Sequence, residues 1–510
     1  MCRLKMIEIL VDGTLYTAES GKKLMDYIPE GHRPDSPCGG AGKCGKCRVK
    51  ATGALSPLTE EEKKLLTKED IEKGIRLACM ARAEGSCAIE TTRHEAAEIR
   101  IDGVMPAFTP APHYKKLGAA VDIGTTTIAA LLYEGATPVA RASVENSEKI
   151  YGADVISRIG KALEGMGPEI ARAVRGDISS LLQAMVKSAG KTADDIEEVV
   201  ITGNTAMLYL LTETDPACLS AAPFIATELF GKTVPGKSLG LPCPEAKVYL
   251  PPCISSFVGA DITTAILASQ LHKSGRTALL VDIGTNGEMA LAKNGEIRCC
   301  STAAGPAFEG AGITMGMMGK PGAIDKVYAE NGGVRTHVIG ERAPVGICGS
   351  GIIDAVAAAM ELGILDENGF LESDDEYDDE SCFKLTDNIV ITQKDIRMVQ
   401  LAKSAIHAGA LTLIEESGLE EKDIEEFKIA GGFGSFINTQ NAAEIGLIPK
   451  SLLGRTSVLG NAALSGSAML LLNPAFRQEA AAMAKAAKTV DLSTNPTFME
   501  LYVESMMFEK

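Results

Sequence analysis

One short pattern occurs twice in this chain and restricts its fold more than any other feature. Residues 120–131 read AVDIGTTTIAAL and residues 279–288 read LLVDIGTNGE, so an apolar run ending at a carboxylate, Asp122 or Asp282, twice meets a turn of small residues. The turns are Gly124-Thr125-Thr126 and Gly284-Thr285-Asn286. Each leads back into strand-like sequence: residues 127–133 and 139–144 flank Glu134-Gly135, and residues 287–292 and 296–300 flank Asn294-Gly295. Gly at tight turns between apolar runs predicts a three-stranded meander in each copy. A single Gly-rich turn is ordinary hairpin punctuation, but a matched pair argues for a phosphate clamp. The turns offer backbone N–H groups and hydroxyls to phosphate oxygens, while Asp122 and Asp282 can hold Mg²⁺ through water.

A second corner is also repeated. Residues 199–201 predict a strand running into Thr202-Gly203-Asn204-Thr205, and residues 427–430 predict one running into Gly431-Gly432-Phe433-Gly434. Both halves thus follow one order of meander, helices, strand, Gly turn and helix, which is an internal duplication. That order resembles the actin, Hsp70 and hexokinase superfamily of ATPases. The resemblance implies an α/β fold of duplicated lobes, residues 119–273 and 274–510, with ATP between them and the late Gly-rich turn against the adenosine. Nucleotide-binding candidates are Gly124, Thr125, Thr126, Gly203, Asn204, Gly284, Thr285, Asn286, Gly431, Gly432 and Gly434. Gly349 and Gly351 join them because they open a buried helix whose first N–H groups can receive phosphate. Lys403, in a helix over residues 393–417, is expected to reach the nucleotide from the cleft. Glu288, and Glu309 in the small-residue stretch 301–312, are candidates for polarising the attacking water beside Asp122 and Asp282; a surface-turn carboxylate is the structural alternative for Glu309. Asp261, near Gly259, is either a helix N-terminal charge or part of the metal's outer shell.

Residues 1–97 carry different chemistry. Cys38, Cys44 and Cys47 lie within ten residues separated by glycines, and Cys79 follows at a distance. Such a loop folds closely round a small inorganic centre and presents N–H groups to its sulfurs. Four Cys can also bind Zn²⁺, but zinc knuckles come as C-x₂-C pairs and Cys79 has no such mate. The spacing resembles the [2Fe-2S] ferredoxins of the adrenodoxin kind, which implies a small α+β β-grasp domain with those four ligands. Cys87 reads as a buried thiol. Residues 98–118, with Pro106, Pro110 and Pro112, read as a semi-stiff linker that lets the two parts swing, rigid packing on one part being the alternative. Asp154 and Arg158 are spaced as an i,i+4 pair, residues 372–380 read as a solvated acidic loop, and residues 495–503 read as a terminal strand.

A formal charge of −17 over 510 residues argues against nucleic acid and anionic membrane as partners. No run of about 18 apolar residues suggests a membrane span, and the expected compartment is the cytoplasm. Thirteen Cys against six His then indicate reduced thiols or a thiolate-bound metal. No G-x-G-x-x-G stands in a βαβ context, so electrons are expected from a low-potential protein donor.

Together with these motifs, NSEKIYGADVISRI at 146–159, TGNTAM at 202–207 and GPAFEG at 305–310 resemble the ATP-dependent reductive activators of corrinoid proteins over nearly the whole chain. That resemblance implies reduction of Co(II) cobalamin to Co(I) in a corrinoid methyltransferase system, with a [2Fe-2S] cluster, ATP, Mg²⁺ and a homodimer formed through the ATPase part. The scale is adequate, since ATP hydrolysis releases on the order of 10 kcal/mol and raising one electron by about 400 mV costs roughly 9 kcal/mol. Larger members carry a further small domain where this chain has only its linker. A kinase with an appended ferredoxin, a radical-dehydratase activator and an ATP-switched assembly protein are the readings from other classes.

Overall fold

The computed structural model describes residues 6–29, 33–34, 40, 42, 45, 47–91, 103–372, 381–432 and 437–508. The chain forms two compact units, residues 1–96 with 147–173, and residues 97–146 with 174–510.

The first unit holds a five-stranded sheet in the order β2-β1-β5-β3-β4, from β1 (Met6–Val11), β2 (Thr14–Glu19), β3 (Arg48–Leu55), β4 (Ile75–Leu77) and β5 (Ala83–Glu90). Strict alternation in MIEILV puts Ile7, Ile9 and Val11 into the core and the residues between them outside. β1 pairs in parallel with β5 and antiparallel with β2. The helix Glu60–Leu65 is fixed by a capping box between Thr59 and Glu62. Glu62 is fully buried, yet Arg76 reaches it with Nε and Nη2 at 3.0 Å each and the Leu77 N–H at 3.1 Å. Burial acts to raise the Glu62 pKa, but the Arg76 and backbone bonds outweigh it and the net shift is downward. This bidentate pair pins β4 just ahead of Cys79.

The expected Asp154–Arg158 pair is corrected. Asp154 caps the helix Val155–Lys161 by accepting from the Ser157 N–H at 2.8 Å. Arg158 turns inward to the buried Glu148 at 3.0 Å. A short acidic side chain just before a helix satisfies orphan N–H groups more readily than it reaches along the helix.

In the second unit, β6 (Leu117–Ile123), β7 (Thr127–Glu134), β8 (Thr137–Glu145), β9 (Ile196–Gly203), β10 (Phe230–Pro235) and β11 (Lys247–Pro252) form a sheet ordered β10-β11-β9-β6-β7-β8. Next come β12 (Ala278–Ile283), β13 (Gly287–Lys293), β14 (Glu296–Thr302), the hairpin β15 (Ala323–Glu330) and β16 (Gly333–Val338), β17 (Gly346–Ile347), and the short pair β18 (Cys382–Lys384) and β19 (Val390–Thr392). With β20 (Glu426–Ala430), β21 (Thr456–Gly460) and β22 (Lys488–Thr489), the second large sheet is ordered β21-β20-β12-β13-β14-β22. The duplication extends to a fifth strand, because β11 lies parallel to β9 as β21 lies parallel to β20.

β12 sends Leu279, Val281 and Ile283 into one core and Ala278 and Leu280 into another, so it is apolar on both faces. The helices Ala260–Ser269 and Ala462–Leu472 pack so closely that a Cβ on Gly466 would lie 2.0 Å from the Thr264 carbonyl oxygen. Small residues at that crossing are therefore a steric necessity.

Two further expectations are corrected. Residues 103–114 pack within the second unit rather than standing off as a linker: Val104 N–H donates to Leu459 O and Ala111 N–H to Leu472 O, both at 2.8 Å, and Phe108 meets Phe476 edge-on at 5.3 Å. The prolines suit this segment to lie extended along a surface, and residues 92–102 fall outside the described residues. Residues 495–503 are not a strand. Asn495 caps the helix Pro496–Glu504, with Pro at the tolerated first position.

Candidate functional site

A cleft of about 600 Å³ opens between the two repeated turns in the second unit. Each turn is closed by the N–H of its glycine, but over different spans: Gly124 N–H donates to Thr127 O at 3.0 Å, three residues on, and Gly284 N–H to Asn286 O at 3.1 Å, two residues on. A side chain at 124 would put its Cβ 2.7 Å from Thr127 O, which explains the glycine. Asn146 braces the first turn, its N–H donating to Thr126 O at 2.8 Å and its amide to Gly124 O at 2.9 Å. Glu309 stands where the turns meet, and one of its carboxylate oxygens accepts from both Thr126 Oγ1 and Thr285 Oγ1 at 2.5 Å.

Carboxylates gather on the cleft wall. Asp122, one residue before the end of β6, accepts from Asn461 Nδ2 at 2.8 Å. Burial pushes Asp122 up to about 6, with Asn461 opposing the shift. Asp261 is driven to about 7, first by burial and then by the charge of Asp122. Asp282 is raised well above the usual carboxylate range by burial, then by Asp261, Asp122 and Glu309. Glu288, opposite Asp282 in the β12–β13 register, is raised likewise by burial and by Asp261 and Asp282. Like charges gathered in a partly desolvated site favour a compensating cation. Among the described residues no three His, Cys, Asp or Glu side chains are arranged to hold a metal directly. Ligation of Mg²⁺ through water, as the turn pattern suggests, does not need such a group.

Of the residues singled out in the sequence, Asp122, Gly124, Thr125, Thr126, Asn204, Asp282, Gly284, Thr285, Asn286, Glu288, Glu309, Gly349, Gly431 and Gly432 line this cleft. Asn204 is placed by capping the helix Thr205–Thr212, accepting from Met207 N–H at 2.9 Å. Gly432 has nothing within 4 Å of a Cβ position. Gly203 and Gly351 are not on the wall. They allow backbones to pass, since a Cβ would lie 2.9 Å from Ile123 O and 2.3 Å from Ile324 O respectively. Gly434 lies outside the described residues.

Lys403 is corrected outright. It is fully buried away from the cleft, donates to Met507 O and lies 4.9 Å over the Phe508 ring. Sequence reasoning missed Asp325, Lys326, His337, Cys348 and Asn461, which complete the wall. His337 Nδ1 and Asp325 Oδ1 sit 2.5 Å apart on the β15–β16 hairpin. The sequence marks that hairpin by its Asn331-Gly332 turn, where both residues take positive φ, and marks Asn461 by the Gly460-Asn461-Ala462 corner that echoes Gly203-Asn204.

The first unit brings Cys47 and Cys79 together, buried, with their sulfurs 3.2 Å apart. The hydrogen bond from Cys47 lowers the Cys79 thiol to about 7 against the opposing effect of burial. Gly40 and Gly45 take positive φ of +78° and +64°, the conformation a tightly wound ligand loop requires. This donor set and its softened thiol fit an iron–sulfur centre. Cys38 and Cys44 lie outside the described residues. Cys87 pairs within β5 against Ile9, where burial raises its thiol, as a packing residue.

Comparison with known proteins places these features together. Residues 276–510 match the family described as the C-terminal domain of RACo, the ASKHA domain. Residues 117–274 match the RACo middle region, and residues 9–84 the 2Fe-2S iron-sulfur cluster binding domain. The middle-region match begins where the docked linker ends. Over 419 residues the chain is 37% identical to the corrinoid activation enzyme RamQ of Eubacterium limosum, covering 77% of this chain and 70% of that protein. Over 429 residues it is 26% identical to the [Co(II) methylated amine-specific corrinoid protein] reductase of Methanosarcina barkeri, covering 76% of each. A solved structure of a reductive activator for corrinoid, iron-sulfur protein superposes with a TM-score of 0.72 and 28% identity, over 98% of both chains.

Proposed function

We propose that this chain, which belongs to the corrinoid activator family of RACo and RamQ, is an ATP-hydrolysing reductase that delivers one electron to the cobalt of a corrinoid protein, taking Co(II) to Co(I). The observation that carries this reading is the presence in one chain of a buried, hydrogen-bonded pair of cysteines in a ferredoxin sheet and a cleft walled by two matched turns. A [2Fe-2S] cluster held by Cys38, Cys44, Cys47 and Cys79 supplies one-electron chemistry when bound.

The remaining work falls to the chain's own side chains and ATP. Gly124–Thr126 and Gly284–Asn286 receive the phosphates from opposite sides, Gly431 and Gly432 receive the adenosine, and Asn204 and Gly349 sit at helix starts that favour anions. Asp122 and Asp282 would hold Mg²⁺ through water, and Glu288 and Glu309 are placed to orient the attacking water. The reductant is a low-potential protein, and the active form is a cytoplasmic homodimer joined through the ATPase part. Among the described residues no helix is long and apolar enough to cross a membrane.

Closure on ATP acts on the acceptor. An axial ligand stabilises Co(II) relative to four-coordinate Co(I), so a complex that removes this ligand makes cobalt the easier acceptor. Mixing reduced protein, its corrinoid partner and ATP, and following Co(I) absorbance, tests this. The signal is expected only with all three present and is lost in Gly432→Leu, whose side chain fills open cleft space. Substantial Co(I) without nucleotide at the same donor potential would leave the cluster domain acting alone and the ATPase unexplained.

A further inference from the structure

The contact joining the two turns has a consequence for the ATPase cycle. Thr126 belongs to the β6–β7 turn and Thr285 to the β12–β13 turn, and both hydroxyls donate to the same Glu309 oxygen. Glu309 is held there by its backbone. Its N–H donates to Pro306 O at 3.0 Å, the next residue, Gly310, takes φ +81°, and Gly305 N–H ties the loop to Thr285 O at 2.8 Å. A negatively charged oxygen thus already occupies the point at which both hydroxyls converge. A Thr hydroxyl has one proton to donate, so neither side chain can donate to Glu309 and to a phosphate oxygen together. Two hydrogen bonds to an ionised acceptor are among the stronger ones available to a side chain.

We propose that Glu309 is an internal stand-in for the γ-phosphate: it holds the two turns together through Thr126 and Thr285 in the nucleotide-free cleft, gives up both hydroxyls when ATP arrives, and then accepts a proton from the attacking water. In that step the water oxygen bonds to the γ-phosphorus, the bond from phosphorus to the bridging oxygen breaks, ADP leaves with the electron pair, and the water proton passes to the Glu309 carboxylate. Glu309 then releases that proton to solvent, and departure of phosphate and ADP returns the hydroxyls to its carboxylate. The inference rests on the ATP-hydrolysing reading and deepens it, by assigning one carboxylate both to the resting state and to the chemical step.

The test compares affinities for a non-hydrolysable ATP analogue and for ADP, with Mg²⁺ present, in four full-length proteins: the unchanged chain, Glu309→Gln, the double variant Thr126→Val with Thr285→Val, and the combination of all three substitutions. Glu309→Gln is expected to bind the ATP analogue about fivefold tighter, because a neutral amide competes less well for the hydroxyls, and ADP within about twofold. Its hydrolysis rate should fall by roughly 10²-fold. The gain in analogue affinity should vanish in the double-valine background, where the hydroxyls at issue are gone. A gain that persists there would assign the effect to charge repulsion alone and overturn the inference, as would unchanged analogue affinity in Glu309→Gln when the unchanged chain binds normally. An unchanged chain that binds no ATP analogue overturns the ATP-hydrolysing reading itself, and the inference with it.

Discussion

The two repeated turns share a sequence pattern but differ in length and in charge: Ile123 pairs with Ile128 across the first and Ile283 with Gly287 across the second, one residue shorter. In the first lobe Asp122 faces Ala129 across β7 and receives the Asn461 amide. In the second, Asp282 faces Glu288 across β13, and a Cβ on Gly431 would lie 2.9 Å from its Oδ1. Duplication has kept the Gly-containing turn pattern and altered its length and the side chains beneath it. In the first lobe the Asn461 amide steadies Asp122, whose charge bears on Asp261, whereas in the second Asp282 has Glu288 directly opposite it on the neighbouring strand. Repeated turns therefore need not have equal roles, and only the second sets a carboxylate opposite its aspartate in the strand register.

The largest effect that difference predicts is on turnover. Asp282→Asn should lower phosphate release by at least about 10²-fold while leaving the fold and the iron content intact, because it removes the carboxylate nearest the repelling group. Asp122→Asn should cost closer to tenfold, since Asn461 remains to occupy the site. Equal losses in the two variants, measured under saturating MgATP, would erase the proposed asymmetry. Turnover unchanged in both would remove the clamp altogether.

Next in size is the steric contrast at the paired corners. Gly431 has φ +110° and a would-be Cβ 2.3 Å from Ile283 O, whereas the equivalent Gly203 meets Ile123 O at 2.9 Å without a positive φ. Gly431→Ala should lower the melting temperature by several degrees more than Gly203→Ala, roughly 2–4 °C for each kcal/mol of added strain. A reversed order in thermal denaturation would mean that the second corner is the more adaptable one.

The smallest predicted effect is linked to pH. Asp122, with its pKa at about 6, and Asp261, at about 7, hold their protons to higher pH when folded than when unfolded. From about pH 4 to 7 the folded chain therefore binds more protons than the unfolded one, and the cation-free protein loses stability as pH rises through that window. Mg²⁺ displaces those protons, so its stabilising effect should be larger at pH 7.5 than at pH 5.5 by a few degrees in melting temperature. Glu288→Gln, which removes one of the repelling carboxylates, should shrink that difference. A Mg²⁺ effect that is independent of pH would mean that these carboxylates do not face the cation.

How much of this was legible in the sequence follows from what each residue is for. The turns and corners stood out because close backbone approaches admit only glycine, as at Gly124 and Gly431, and such a requirement is written in residue identity. The fifth strand of the first lobe was hidden, since the Pro- and Gly-rich stretch before β11 reads as irregular. Two of the errors share one cause. The C-terminal helix leaves carbonyl groups past its last turn, and Ser404, Gln400 and Lys403 donate to those of Ser505, Met506 and Met507. Those carbonyl groups are the acceptors that hold Lys403 in the interior, and they exist only because residues 496–504 are helical. Asp325 and His337 stand on a hairpin that its Asn331-Gly332 turn marks, but their place on the cleft wall comes from tertiary packing between distant motifs, which no local spacing shows.

The most direct test of coupled ATP hydrolysis and electron transfer is to follow phosphate release and Co(I) absorbance in one rapid-mixing experiment, with reduced protein, its corrinoid partner and ATP. The account predicts that both signals require hydrolysable ATP and that Asp282→Asn slows both by the same factor while the iron and sulfide content of the variant stays unchanged. Co(I) forming at the unaltered rate in Asp282→Asn, with phosphate release abolished, would contradict it.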